Sequence, residues 1–193
     1  MRRLAVLALT LLPGAASLSC KVYLPFRFQL TPRLAEEATR LHGSAAGPIA
    51  LRWEPSGFPQ RVDVQGASGF IGGASRTRIP MGVSISTKVH DFLHAAVGVE
   101  EGAPRTVTIR VVEAKTSFEY GGRKRAGIDR ARCTLKVEVD DGKARWSEAY
   151  FASDEPGGDP PTPTSVLDGV YDEVSAALAR DVVRRLAATP KAP

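Results

Sequence analysis

Two histidines stand four residues apart in His90-Asp91-Phe92-Leu93-His94, a spacing that lets two imidazoles share a metal ion from one helix face. In zinc peptidases with the order H-E-x-x-H, the glutamate activates a metal-bound water; Asp91 takes that place here and is one methylene shorter. No third ligand is evident nearby, since Glu100 and Glu101 lie beyond Gly98. On a helix whose apolar stripe centres on Val89, both histidines fall on the flank, where amphipathic side chains ordinarily sit. A metal-dependent hydrolase at His90 and His94 is thus the lowest of three functional alternatives. No catalytic residue, metal ligand or cofactor is assigned.

Other nucleophile and phosphate signals are weaker. No G-x-S-x-G elbow occurs. Cys133 sits on the apolar side of an alternating strand, where a thiol behaves as a small hydrophobe. The run from Gly66 to Gly73 reads G-x-x-G-x-x-G-G, without the glycine order or the strand–turn–helix setting of a nucleotide loop. It is read as a flexible loop.

Charge carries more information. Residues 105–146 hold eleven basic and six acidic groups, and residues 147–193 hold four basic and eight acidic. Arg123, Lys124 and Arg125 mark a hairpin tip, and Arg130, Arg132 and Lys136 line the polar face of the next strand. Such a strip suits lipid phosphates, lipopolysaccharide or an acidic partner; alternatively it is a solvated face that discourages strand pairing. Asp168, Asp172, Glu173 and Asp181 on the last helix read most simply as a solvated face.

The chain has 193 residues, 43% hydrophobic and 24% charged, with net charge +5. That composition excludes wholesale disorder, and no apolar run reaches the roughly 18–20 residues of a membrane-spanning helix. Two cysteines cannot build a four-thiolate zinc site. Met1-Arg2-Arg3, the apolar run Leu4 to Leu12, Pro13-Gly14 and the small residues Ala15, Ala16 and Ser17 follow the order of a secretory signal peptide over residues 1–19. Export and the modest charge left after its removal argue against a nucleic-acid partner.

Cys20 after Ser17-Leu18-Ser19 resembles the lipobox of bacterial lipoproteins, although Leu18 sits one place later than the family prefers. The resemblance implies a diacylated Cys20 that anchors the chain, each buried methylene contributing about 0.8 kcal/mol. Lys21 in place of Asp implies an outer-membrane address, on the periplasmic face. The alternative is a soluble periplasmic chain with Cys20 paired to Cys133.

Residues 20–79 read as an irregular tether with short strands, including a short helix over 34–41 and a strand over 49–53. Residues 80–188 read as the folded domain and 189–193 as a tail. Ile85, Val89, Phe92, Leu93 and Ala96 give a helix over 84–97. Three strands follow. The first changes phase after Val111, which predicts a bulge; the second alternates from Arg130 to Val139; and Asp141-Gly142 predicts a tight hairpin to the third. The last helix starts near Thr164, with Asp168 placed for a capping box, and Pro190 ends it. The fold class expected is α+β, a two-layer sandwich of helix, three-stranded antiparallel meander and helix, with the helices on one face of the sheet.

This order of features resembles small Gram-negative envelope lipoproteins, among them the YajG-like family and the auxiliary lipoproteins of envelope assembly and transport systems. The likeness is architectural and transfers no catalytic residue. It implies a non-catalytic accessory or scaffolding domain of an envelope protein complex, with the long last helix and the basic sheet face as contact surfaces. A lipid- or lipopolysaccharide-binding accessory, using an apolar groove between helices and sheet, is the alternative.

Overall fold

The computed structural model describes residues 26–43, 47–54, 57–65, 76–119, 130–154 and 163–188. Alternation is cleanest in strand β5, Arg130–Asp140, where Ala131, Cys133, Leu135, Val137 and Val139 are buried between polar neighbours. A strand with one wet face belongs in the middle of a half-covered antiparallel sheet. There it pairs with β4, Arg105–Glu119, on one side and β6, Arg145–Asp154, on the other. The predicted tight turn lies one place later, with Gly142 and Lys143 at its corner, closed by a hydrogen bond from the Asp141 amide to the Ala144 carbonyl at 3.1 Å.

The phase change in β4 is a bulge. Its register against β5 shifts between Val111 and Glu113, which leaves Val112 52% exposed before Phe118 turns back to the core. Beyond the expected meander, β1, Ile49–Glu54, joins β4 in parallel, from Ile49 opposite Arg105 to Glu54 opposite Arg110. The sheet is therefore four-stranded and mixed, in the order β1-β4-β5-β6. A parallel neighbour needs a long crossover. The segment that supplies it holds the antiparallel pair β2, Val62–Gln65, and β3, Arg76–Ile79, followed by helix α2, Met81–Val97.

Helix α2 starts three residues before the predicted Ser84. Gly82 allows this, because its amide donates to the Gln60 carbonyl and a Cβ there would lie 2.9 Å from both the Gln60 Cα and the Pro59 carbonyl oxygen. Helix α1, Pro32–Arg40, buries Leu34 and Ala38 in the same core. Part of the stretch read as a tether is thus packed against the domain.

Helix α3, Pro163–Ala188, differs most from expectation. Val166, Leu167, Val170, Tyr171, Val174, Ser175, Ala176, Leu178, Ala179, Val182 and Val183 are all buried, and these positions run round the whole helix rather than along one stripe. The sheet covers one side, α2 another, and α1 a third through the Arg180–Glu37 pair, with Nη2 2.8 Å from Oε2. A helix enclosed in this way has little surface left for a partner, which corrects its assignment as a contact surface. Among the described residues, no helix is long and apolar enough to cross a membrane.

Candidate functional site

With the helices on one face, the sheet keeps an open face built from alternate residues of all four strands. Arg130, Arg132 and Lys136 fall on it, exposed, as predicted from the alternation of β5. Arg123, Lys124 and Arg125 lie outside the described residues, as does Cys20. Lys136 is committed within the face: it and Lys115 both bond Glu113, Lys136 at 2.7 Å. The hydrogen bond from Lys115, then that from Lys136, holds the Glu113 carboxyl down at about 2. Arg132 stands across from Ser117 on one side and Ser153 on the other. Beside it, Thr134 pairs with Phe151, whose ring is 63% exposed.

The opposite end of the face is balanced. Arg110 lies 3.4 Å from Glu138 and 3.8 Å from Glu54, and Arg145 lies 2.8 Å from Asp140. These groups line a shallow polar depression with Thr108. The open face therefore runs from acid–base balance at the Arg110 end to basic and part-aromatic at the Arg132 end.

Charges on the covered side are buried, against expectation for Asp168, Asp172 and Asp181, whereas Glu173 stays solvated, 45% exposed beside Arg33. Lys88, fully enclosed on α2, donates to Asp172 and to the Gln29 carbonyl at 3.2 Å. Asp168 lies 3.6 Å from the same ammonium, beyond hydrogen-bond reach, and accepts the Arg27 amide at 3.0 Å. Asp168 thus anchors the N-terminal segment rather than completing a capping box. Burial pushes its carboxyl above the usual range, against the pull of Lys88. The Phe26 ring closes the cluster 5.7 Å from Tyr171. Sequence reasoning missed Lys88. The available signal was a lysine inside the i, i+3, i+4 stripe of α2, combined with two aspartates one turn apart on α3.

Asp181 is similarly enclosed, accepting from the Tyr150 hydroxyl at 2.9 Å and from Arg185 Nε at 2.9 Å. Burial, then the bond to Asp181, raises the Tyr150 phenol. Arg185 lies 4.9 Å above the Trp146 ring, so the end of α3 is pinned to β6.

His90 and His94 do share a face, their rings stacked at 6.0 Å. Each is otherwise occupied: His90 Nδ1 lies 3.4 Å from Asp91, and His94 Nδ1 accepts the Val99 amide at 3.4 Å. Among the described residues no group of three His, Cys, Asp or Glu side chains is placed to hold a metal ion. The space between helices and sheet is filled by Phe92, Leu135, Leu167 and Tyr171, all fully buried.

No family model and no curated protein matches the sequence. Among solved structures, a minor lipoprotein from Acinetobacter baumannii aligns over 76% of this chain and 96% of its own, at 15% identity and TM-score 0.40. Rare lipoprotein B from Shewanella oneidensis aligns over 73% of this chain and 94% of its own, at 11% identity and TM-score 0.39. Both of these structural neighbours are lipoproteins.

Proposed function

We propose that this chain is a lipid-anchored domain on the periplasmic face of the outer membrane that supports an envelope protein complex and catalyses no reaction. The anchor is Cys20, following the leader in the order that exported lipoproteins use. The observation that carries the reading is the division of the sheet into two faces. The helix layer is consumed by the core, α3 included, while the open face presents Arg132 near the exposed Phe151, with Arg130 further along β5 opposite Glu119. A surface of cations around one apolar ring suits an acidic partner surface better than a small substrate, which would need an enclosed pocket.

In this reading Arg123, Lys124 and Arg125, which lie between β4 and β5 in the sequence, are assigned to the same partner. Intact mass and membrane fractionation of the chain expressed in a Gram-negative host test the anchor. The expected result is a mature chain that begins at an acylated Cys20 and leaves the membrane fraction in Cys20→Ser. A soluble chain cut after Ala16 or Ser19 would overturn it. Crosslinking in the intact envelope tests the surface: Arg123, Lys124, Arg125, Arg130 and Arg132 replaced together by Ser should lose the partner, and unchanged capture would sink the assignment.

A further inference from the structure

Residues 26–30 cross the helix layer before α1 begins, and their side chains alternate. Phe26 and Leu30 pack against the core, while Phe28 between them is 40% exposed. The backbone is held on both sides of Phe28. The Arg27 amide donates to Asp168 Oδ2 at 3.0 Å, and Lys88 Nζ donates to the Gln29 carbonyl at 3.2 Å. The ring is thus kept outward by two buried or half-buried charged groups.

These contacts place the segment at one end of the domain. Phe26 lies against Tyr171, whose hydroxyl meets that of Thr116, late in β4, at 3.1 Å. Met81, the first residue of α2, sets its Sδ 3.5 Å from the same Thr116 hydroxyl, and Val83 just beyond it is exposed. The opposite end is charged, with Arg105 bonded to Asp141 and to the Leu186 carbonyl. At 1.5 Å per residue, about 27 Å of α3 separates Leu186 from Asp168.

Phe26 follows Cys20 by six residues, and a fully extended chain of that length spans about 20 Å. A lipid anchor on Cys20 therefore lies nearer the Phe28 end of the domain than the Leu186 end. From Cys20 up to Glu36 the sequence carries Lys21, Arg27 and Arg33 and no acidic residue. Arg27 is exposed next to Phe28, and Arg33 pairs with Glu173. An exposed aromatic ring beside a cation suits anionic headgroups lying over hydrocarbon. The short span to the anchor favours the bilayer over a protein as the surface that Phe28 meets.

Resting on the Cys20 anchor of the preceding reading, we propose that segment 26–30 seats this end of the domain on an anionic phospholipid bilayer. Phe28 enters the headgroup layer and Arg27 faces the phosphates.

The test uses the purified mature chain carrying Phe28→Trp, reconstituted into vesicles of phosphatidylethanolamine and phosphatidylglycerol, with and without a lipid spin-labelled near its headgroup. The two native tryptophans, Trp53 on β1 and Trp146 beneath Arg185 at the far end, supply the background through the parent chain. The expected result is an added indole that shifts to shorter wavelength and loses emission to the spin label, with no such loss in the parent. Adding Arg27→Ser, or exchanging phosphatidylglycerol for phosphatidylcholine, should lessen the loss; quenching unchanged by both would overturn the anionic contact. Intact mass is read on the same sample. An acylated Cys20 with an unquenched indole, as when Phe28 faces a protein partner instead, overturns the seating and leaves the anchor standing. A bare Cys20 overturns the anchor, and the seating with it.

Discussion

Lys88 and Asp172 meet across the interface of α2 and α3 with their side chains 0% and 5% exposed. Two charges so enclosed are stabilising only as a pair, because each alone carries an uncompensated desolvation cost. Lys88→Met should therefore destabilise the fold by about 3–5 kcal/mol, since it strands Asp172 in the core. Joining it to Asp172→Leu should recover most of that loss, because a well-packed apolar pair is close to neutral against a buried ion pair. Urea denaturation of the two single variants and the double variant checks this. A double variant no better than Lys88→Met would show that the pair matters for packing rather than charge.

Asp168 and Asp172 are one turn apart, yet substitution should separate them. Burial raises the Asp168 carboxyl, so the native state holds its proton more tightly than the unfolded chain does. An acid raised in this way lowers stability as pH climbs from its ordinary value of 3.8 through the raised one, and the penalty is complete above it. Asp168→Asn should then match or exceed the parent in stability at pH 7, with the difference vanishing below pH 3.8. Asp172→Asn, by contrast, should cost about 3 kcal/mol at pH 7 by leaving Lys88 without its counter-charge. Thermal melts across pH distinguish the two.

The elements that locality governs were legible in the sequence. Period-2 alternation gave β5, Asp141-Gly142 placed its turn to within one residue, and the break at Val111 gave the bulge. What was not legible depends on contacts between distant segments. β1 is a short run around Trp53, and nothing in its sequence says that it lies parallel beside β4 rather than apart from the sheet. The aspartates of α3 looked solvated because helix periodicity ranks charges as outward. Lys88 and Tyr150, from elsewhere in the chain, make burial of Asp172 and Asp181 tolerable. The polar face of β5 was read correctly, but the pairing of Lys136 with Glu113 depends on a register set by the bulge.

Gly82 sets two effects against each other. In the first turn of α2 an alanine would gain about 1 kcal/mol of helix propensity. Its Cβ, however, would meet the Gln60 Cα and the Pro59 carbonyl oxygen at 2.9 Å, both backbone atoms that cannot rotate away. Overpacking of this kind typically costs about 1–3 kcal/mol, so the clash should win and Gly82→Ala should lower the melting temperature. A higher melting temperature would mean that the loop at Pro59 and Gln60 moves aside freely.

Cys133 supplies the test that separates an acylated Cys20 from a disulfide. Its thiol is fully buried on β5, 3.9 Å from the Thr116 hydroxyl, and burial pushes it up to about 11, with the Thr116 bond opposing. At pH 8 roughly one molecule in a thousand then carries the thiolate, and none of it faces solvent. The folded chain should give no reaction with a water-soluble aromatic disulfide reagent, and the unfolded chain should give one thiol. Pairing with Cys20 would require the second sulfur to enter the core beside Thr116 and Tyr171, whose hydroxyls already meet at 3.1 Å. An unfolded, unreduced chain that shows no thiol would therefore establish the disulfide and remove the acyl anchor. Since labelling of a buried thiol proceeds through opening of the fold, Lys88→Met should also speed native-state labelling of Cys133 in proportion to its loss of stability.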